Sequence, residues 1–120
     1  MLLSLRLPVL LAMTISMVGL ASAAEVEGTL LDRMCSAKIV QQKDQKAALE
    51  HTRDCALMDD CVKSGYGVFM ADGTFITFDS AGNAKVAQAL KASKKEDHIL
   101  VHVTGERSGD TMKVASIKIL

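Results

Sequence analysis

Short apolar segments of strand length recur along this chain, and they constrain its fold more than any other feature. In several of them apolar and polar residues alternate, which is typical of strands with one face in a core. Asp72-Gly73 separates two of these segments and favours the type I′ turn of a tight β-hairpin. A longer turn over residues 105–110 separates the last two. The predicted strands are residues 26–33, 66–71, 74–78, 98–104 and 112–120.

Helical patterns fill the two long gaps between these segments. Residues 36–64 lack strand character and include many good helix formers, so they predict a helical insertion between strands 1 and 2 that ends at Gly65. Val86, Leu90 and several alanines predict a second helix, between strands 3 and 4. This order is that of an OB-fold-like β-barrel with five antiparallel strands, which would leave no sheet edge exposed. The alternative is an open α+β sheet.

The N-terminal residues 1–24 have the pattern of a cleavable secretory signal. Arg6 precedes an apolar run over 9–20, and small residues follow at 21–24, where signal peptidase would cleave after Ala23 or Ala24. The run is shorter than the roughly 20 residues that a membrane-spanning helix needs. We therefore expect a periplasmic or secreted protein with one domain, residues 25–120, and no stable membrane insertion after cleavage.

The charge balance of this domain argues against some partners. The chain has 14 basic and 14 acidic residues, and removal of Arg6 leaves 13 basic residues against 14 acidic ones. Proteins that bind nucleic acid need a basic surplus, so we expect no nucleic-acid partner.

The sharpest chemical signal is a cluster of sulfur and imidazole side chains in and beside the helical insertion. His51 and Cys55 are four residues apart, which on one helix would place them on the same face, with Met58 continuing the stripe. Cys35 and Cys61 could fold back to complete the set. Cys35, His51, Cys55 and Cys61 are therefore candidate metal ligands, and the donor types suit zinc or copper.

A structural disulfide is the alternative interpretation of the same residues. Exported proteins occupy oxidising compartments, where neighbouring cysteines usually pair. The pairings Cys35–Cys55, Cys35–Cys61 and Cys55–Cys61 all remain open, and each leaves one thiol unpaired. No Cys-x-x-Cys motif is present, so the sequence does not favour a thioredoxin-like dithiol.

Two further histidines, His98 and His102, lie four residues apart on the fourth predicted strand and would face the same side. Ile99, Val101 and Val103 would form the inward face of that strand. The alternation alone explains this pattern, so we expect the two imidazoles to be solvated.

Four short motifs carry a resemblance to known proteins. They are Gly28-Thr29-Leu30-Leu31-Asp32-x-x-Cys35, His51-Thr52-x-Asp54-Cys55-Ala56, Cys61-x-x-Ser64-Gly65 and Val103-Thr104-Gly105. Together they resemble small exported bacterial proteins of uncharacterised function with an OB-like barrel. The resemblance implies that Cys35, His51, Cys55 and Cys61 act as one unit.

Two hypotheses for function follow from these patterns. The first is a non-enzymatic binding module that holds zinc or copper through the cysteine and histidine cluster. The second is a disulfide-stabilised structural or interaction domain of the cell envelope, without metal, whose partner is an envelope protein or a soluble ligand. We expect no enzymatic activity, because no catalytic set can be assembled from the sequence.

Overall fold

The computed structural model describes residues 22–120, which form five β-strands and five helices. The strands are β1 (Ser22–Asp32), β2 (Tyr66–Phe69), β3 (Phe75–Phe78), β4 (Leu100–Ser108) and β5 (Thr111–Ile119). The helices are α1 (Ala37–Gln42), α2 (Gln45–Glu50), α3 (Arg53–Ala56), α4 (Asp59–Ser64) and α5 (Ser80–Ala92). The helices thus occupy both predicted gaps, although the insertion is a series of four short helices.

The five strands form a closed barrel in the order β1-β2-β3-β5-β4, which confirms the predicted barrel. The prediction that all strands are antiparallel is wrong, because β3 and β5 are parallel, with Thr77 opposite Thr111 and Phe78 opposite Met112. The other four strand pairs are antiparallel. The reason is geometric: strand direction cannot alternate all the way around a closed ring with an odd number of strands, so at least one pair must be parallel.

The β2–β3 hairpin differs in detail from the predicted type I′ turn. That turn needs positive φ at both central residues, whereas here Gly73 has φ of 87° and Asp72 does not have a positive φ. Gly73 donates its N–H to the carbonyl of Met70, and Met70 donates to Thr74. The loop therefore has three residues and ends in a left-handed glycine, the second common way to close a hairpin.

The fourth strand begins later than its alternation predicts. His98 lies outside β4 and has a left-handed φ of 48°, and its N–H donates to the carbonyl of Leu49 at the end of α2. His98 and His102 therefore do not share a strand face. Ile99, Val101 and Val103 are nonetheless buried, as predicted.

Two apolar clusters hold the domain together. The larger one fills the barrel and includes Tyr66, Ile76 and Leu90, the last of these from α5. The smaller one lies outside the barrel wall, where Leu31 and Phe69 pack against Ala48 of α2. The insertion thus covers one outer face of β1 and β2, and this allows consecutive residues at the end of β1 to be buried.

The predicted signal segment falls mostly outside the described residues. Ser22, Ala23 and Ala24 are described, and they pair with Arg107, Glu106 and Gly105 at the start of β1. Cleavage after Ala23 would remove the first two of these pairs, and cleavage after Ala24 would remove all three. Either cut would leave Val26, the first buried residue of β1, in place. Within residues 22–120, no helix is long and apolar enough to cross a membrane.

Candidate metal centre

The candidate site is organised around Asp32, the last residue of β1. Its side chain is completely buried. A carboxylate in such a place must be hydrogen-bonded or paired, because desolvation of an isolated charge is costly. Both oxygens have partners: Oδ2 accepts a hydrogen bond of 2.7 Å from the backbone N–H of Cys35, and Oδ1 lies 2.6 Å from Nε2 of His51.

The turn that follows Asp32 carries Cys35 to helix α4. Arg33 donates its N–H to the carbonyl of Gly65, and the N–H of Met34 donates to Oγ of Ser64. These bonds hold the turn against the C-terminal end of α4, which carries Cys61.

Cys35 and Cys61 form a disulfide, with their Cα atoms 6.5 Å apart. Of the three pairings that the sequence leaves open, this is the one in the structure. It joins the end of β1 to the last helix of the insertion. The insertion is therefore cross-linked to the barrel, and a disulfide of this kind is typical of an oxidising compartment.

A carboxylate and two sulfurs meet at this point. One carboxylate oxygen of Asp32 and the Sγ atoms of Cys35 and Cys61 all lie within 4.8 Å of one another. Asp32 and Cys61 are buried, whereas Cys35 is exposed. Within residues 22–120, Ser36 adds a fully buried hydroxyl that has no hydrogen-bond partner, directly next to Cys35 in the chain. The site is thus accessible from the side of Cys35 and enclosed on the others.

His51 reaches this site from the end of α2. Its backbone is extended, and it caps α2 by donating its N–H to the carbonyl of Ala48. Thr52 then starts α3, with its side-chain oxygen accepting from the N–H of Cys55. The prediction that His51 and Cys55 lie on one helical face is therefore wrong, because the chain breaks between them and Thr52 caps a new helix.

Cys55 is close enough to Asp32 for the carboxylate charge to affect the pKa of its thiol. It is partly buried and not disulfide-bonded. Burial raises the pKa of the Cys55 thiol, and the negative charge of Asp32 raises this pKa further. At neutral pH Cys55 is thus held in its protonated form, which is the less nucleophilic one.

Tyr66 borders the same region from the first residue of β2. Its side chain is buried, and its hydroxyl donates a hydrogen bond of 2.6 Å to the carbonyl of Ala56 in α3. Burial first, and then the charge of Asp32, raise the pKa of Tyr66 to about 12. Tyr66 therefore stays neutral and ties α3 to the barrel.

The structure brings Cys35 and Cys61 together, places His51 one hydrogen bond away through Asp32, and leaves Cys55 outside the group of three ligand atoms. Asp32 belongs to the motif that ends at Cys35, but it is not among the metal ligands predicted from the sequence. A signal was present, because an acidic residue directly after Leu30 and Leu31 interrupts an apolar strand at a point where burial is expected.

Comparison of the chain with protein-family models, with curated proteins and with solved structures finds no match. The chemistry of the site must therefore be argued from its own residues.

Proposed function

We propose that this protein is an exported, non-enzymatic binding module that holds a soft metal ion through Cys35, Cys61 and Asp32. The observation that carries the proposal is the convergence of two sulfurs and one carboxylate oxygen within 4.8 Å. Thiolates bind zinc and Cu(I) well, and a carboxylate can complete a zinc site. Asp32 and Cys35 come from the end of β1 and the turn after it, whereas Cys61 comes from α4, so a metal bound here would cross-link these two segments as the disulfide does.

Metal binding and the disulfide are mutually exclusive states of the same two cysteines. Opening of the Cys35–Cys61 bond needs two electrons and two protons, which a dithiol reductant supplies while it becomes a disulfide itself. The released thiols lose their protons when a metal binds. The protein would then bind metal only when it is reduced.

Asp32 and His51 have distinct roles in this proposal. Asp32 presents its carboxylate to the two sulfurs and receives the N–H of Cys35, which holds the cysteine in place. His51 orients the carboxylate through Oδ1. Such partners behind a ligand commonly affect metal affinity about 10- to 100-fold. His51 is therefore a positioning residue here, whereas the sequence suggested a direct ligand.

The proposal also includes an OB-like fold and a location outside the cytoplasm. A five-stranded barrel with a helix between the third and fourth strands supports an OB-like architecture. The disulfide and the signal pattern of residues 1–24 support export to the periplasm or the medium.

The test is native mass spectrometry of the mature protein, oxidised and then reduced with a phosphine, in the presence of zinc or Cu(I). We expect one metal ion per reduced chain, and none for the oxidised chain or for Cys35→Ala/Cys61→Ala. Cys55→Ala is the matched control and should keep the metal. A reduced wild-type protein that binds neither metal would exclude the proposal.

A second candidate is the disulfide-stabilised interaction domain, which is favoured by a separate apolar cleft. This cleft has a volume of about 270 Å³ and is lined by Leu49, Phe69, Leu100 and Leu120 among others. Leu100 and Leu120 are 39% and 45% exposed. If the reduced protein takes up no metal, and if Leu100→Lys abolishes cross-linking to an envelope protein, this candidate replaces the first.

A further inference from the structure

The two most exposed large apolar side chains of the described region are both methionines, and both flank the disulfide. Met34 is 57% exposed and Met58 is 58% exposed. Methionine is among the residue types that are most often buried. Within residues 22–120, the other strongly exposed large apolar side chains, Leu100 and Leu120, lie in the separate apolar cleft.

The positions of the two thioethers follow from the segments that carry the cysteines. Met34 directly precedes Cys35, and its N–H is bonded to Ser64 at the C-terminal end of α4. Met58 is the N-cap of α4, three residues before Cys61. The two methionines therefore lie near opposite ends of the helix that holds Cys61. Each of the two side chains is more than half exposed.

The donor set distinguishes between the two metals. A closed zinc site needs four ligands of the nitrogen, oxygen or thiolate type, whereas the cluster has three. Cu(I) needs fewer ligands and accepts thioether sulfur, which zinc rarely does. Two exposed thioethers beside two cysteines therefore suit Cu(I).

We propose that the metal of this site is Cu(I), and that Met34 and Met58 are its outer ligands, which receive the ion at the surface and support it on Cys35 and Cys61. This inference rests on the proposed function. It adds the identity of the ion and two ligands on the exposed side. It requires no change in the oxidation state of copper, because the ion arrives as Cu(I).

The experiment compares the reduced wild-type protein with Met34→Leu/Met58→Leu, which preserves size and apolar character. We expect the affinity for Cu(I) to fall about tenfold or more, the scale of effects from groups that support a metal's main ligands. The affinity for zinc should not change. Met70→Leu is the matched control, because Met70 follows the end of β2 and lies in neither of the segments that carry Cys35 and Cys61.

A direct readout is the NMR signal of the methionine ε-methyl groups. One equivalent of Cu(I), or of Ag(I) as its redox-inert substitute, should shift the signals of Met34 and Met58 and leave that of the buried Met112 in place. Unchanged methyl signals, together with equal Cu(I) affinity of the leucine variant, would overturn this inference. If Cys35→Ala/Cys61→Ala still abolished binding, the proposed function would stand.

Two other outcomes also count against the inference. Equal losses of zinc and Cu(I) affinity in the leucine variant would show that the methionines only support the local structure. A reduced wild-type protein that binds neither metal would overturn this inference and the proposed function together.

Discussion

Nε2 of His51 lies 2.6 Å from Oδ1 of Asp32, although 19 residues separate them in the chain. The imidazole is 9% exposed and the carboxylate is completely buried. A short contact between two buried polar groups holds the end of α2 on the end of β1. It thereby links the orientation of the candidate site to the packing of the insertion.

The first prediction concerns the energy of this contact. His51→Ala should lower the free energy of unfolding by about 3 kcal/mol, because it leaves a buried carboxylate with one partner fewer. Asp32→Ala should also destabilise, since it leaves the Cys35 N–H and the imidazole without an acceptor. The double variant should lose less than the sum, with a coupling of about 1–3 kcal/mol in urea unfolding. Strict additivity would mean that the two side chains do not interact.

The second prediction concerns the disulfide. Cys35→Ala/Cys61→Ala removes a cross-link between residues 26 apart. Loss of the loop-closure effect should lower the free energy of unfolding by about 3.5 kcal/mol. Denaturant titration of the oxidised wild type against the variant measures this difference. Cys55→Ala should change stability by only about 0.5 kcal/mol, and a comparable loss there would point to a different pairing.

The third prediction concerns alkaline pH. Tyr66 is the single tyrosine, and the chain contains no tryptophan, so the tyrosinate absorbance reports on this residue alone. It should titrate with a pKa of about 12 in the folded protein and of about 10 in denaturant.

The consequence for stability has a definite sign. Between these two values the folded chain keeps a proton that the unfolded chain loses, so this contribution is full below about pH 10 and disappears as the pH rises through the folded value. Tyr66→Phe should be less stable at neutral pH, because the hydrogen bond to Ala56 is lost, but its stability should fall less steeply above about pH 10. A titration of the folded wild type at the ordinary tyrosine pKa would contradict the burial of this hydroxyl.

The fourth prediction concerns the reactivity of Cys55, the one cysteine outside the disulfide. Because its pKa is raised, the oxidised protein should react more slowly with iodoacetamide at neutral pH than a free cysteine does. Asp32→Asn should speed the reaction, since it removes the charge that opposes the thiolate. Glu27→Gln is the matched control, because Glu27 is paired with His102 on the barrel. An equal acceleration by both variants would mean that Asp32 has no specific effect.

The barrel could be predicted from the sequence because each strand has its own local pattern of apolar and polar residues. Ile99, Val101 and Val103 alternate with polar residues and are buried as expected. Val86 and Leu90 likewise predict the side of α5 that packs on the barrel. In these elements the spacing of apolar residues along the chain determines which side chains share a face, so periodicity is sufficient to predict the buried face.

The site could be predicted only in part, because its geometry depends on residues far apart in the chain. The burial of Asp32 depends on His51 and on the turn that carries Cys35, both of which fold against its carboxylate, and no local pattern reveals this. The helix break between His51 and Cys55 has a local signal in the sequence, because Thr52 is a favourable N-cap residue. In the structure its side-chain oxygen accepts the N–H of Cys55. The pairing of Cys35 with Cys61 required the fold, because three cysteines allow three pairings.

The parallel β3–β5 pair has a consequence for local opening of the barrel. It consists of two residue pairs, Thr77 with Thr111 and Phe78 with Met112, supported by bonds from the N–H of Thr77 to Asp110 and from that of Asp79 to Met112. The β4–β5 pair extends along most of both strands. The barrel is therefore a five-stranded sheet that is closed by a short β3–β5 pairing. Transient opening of the barrel should start at this pair of strands. The amide protons of Thr77 and Asp79 should then exchange with solvent before those in the middle of β4.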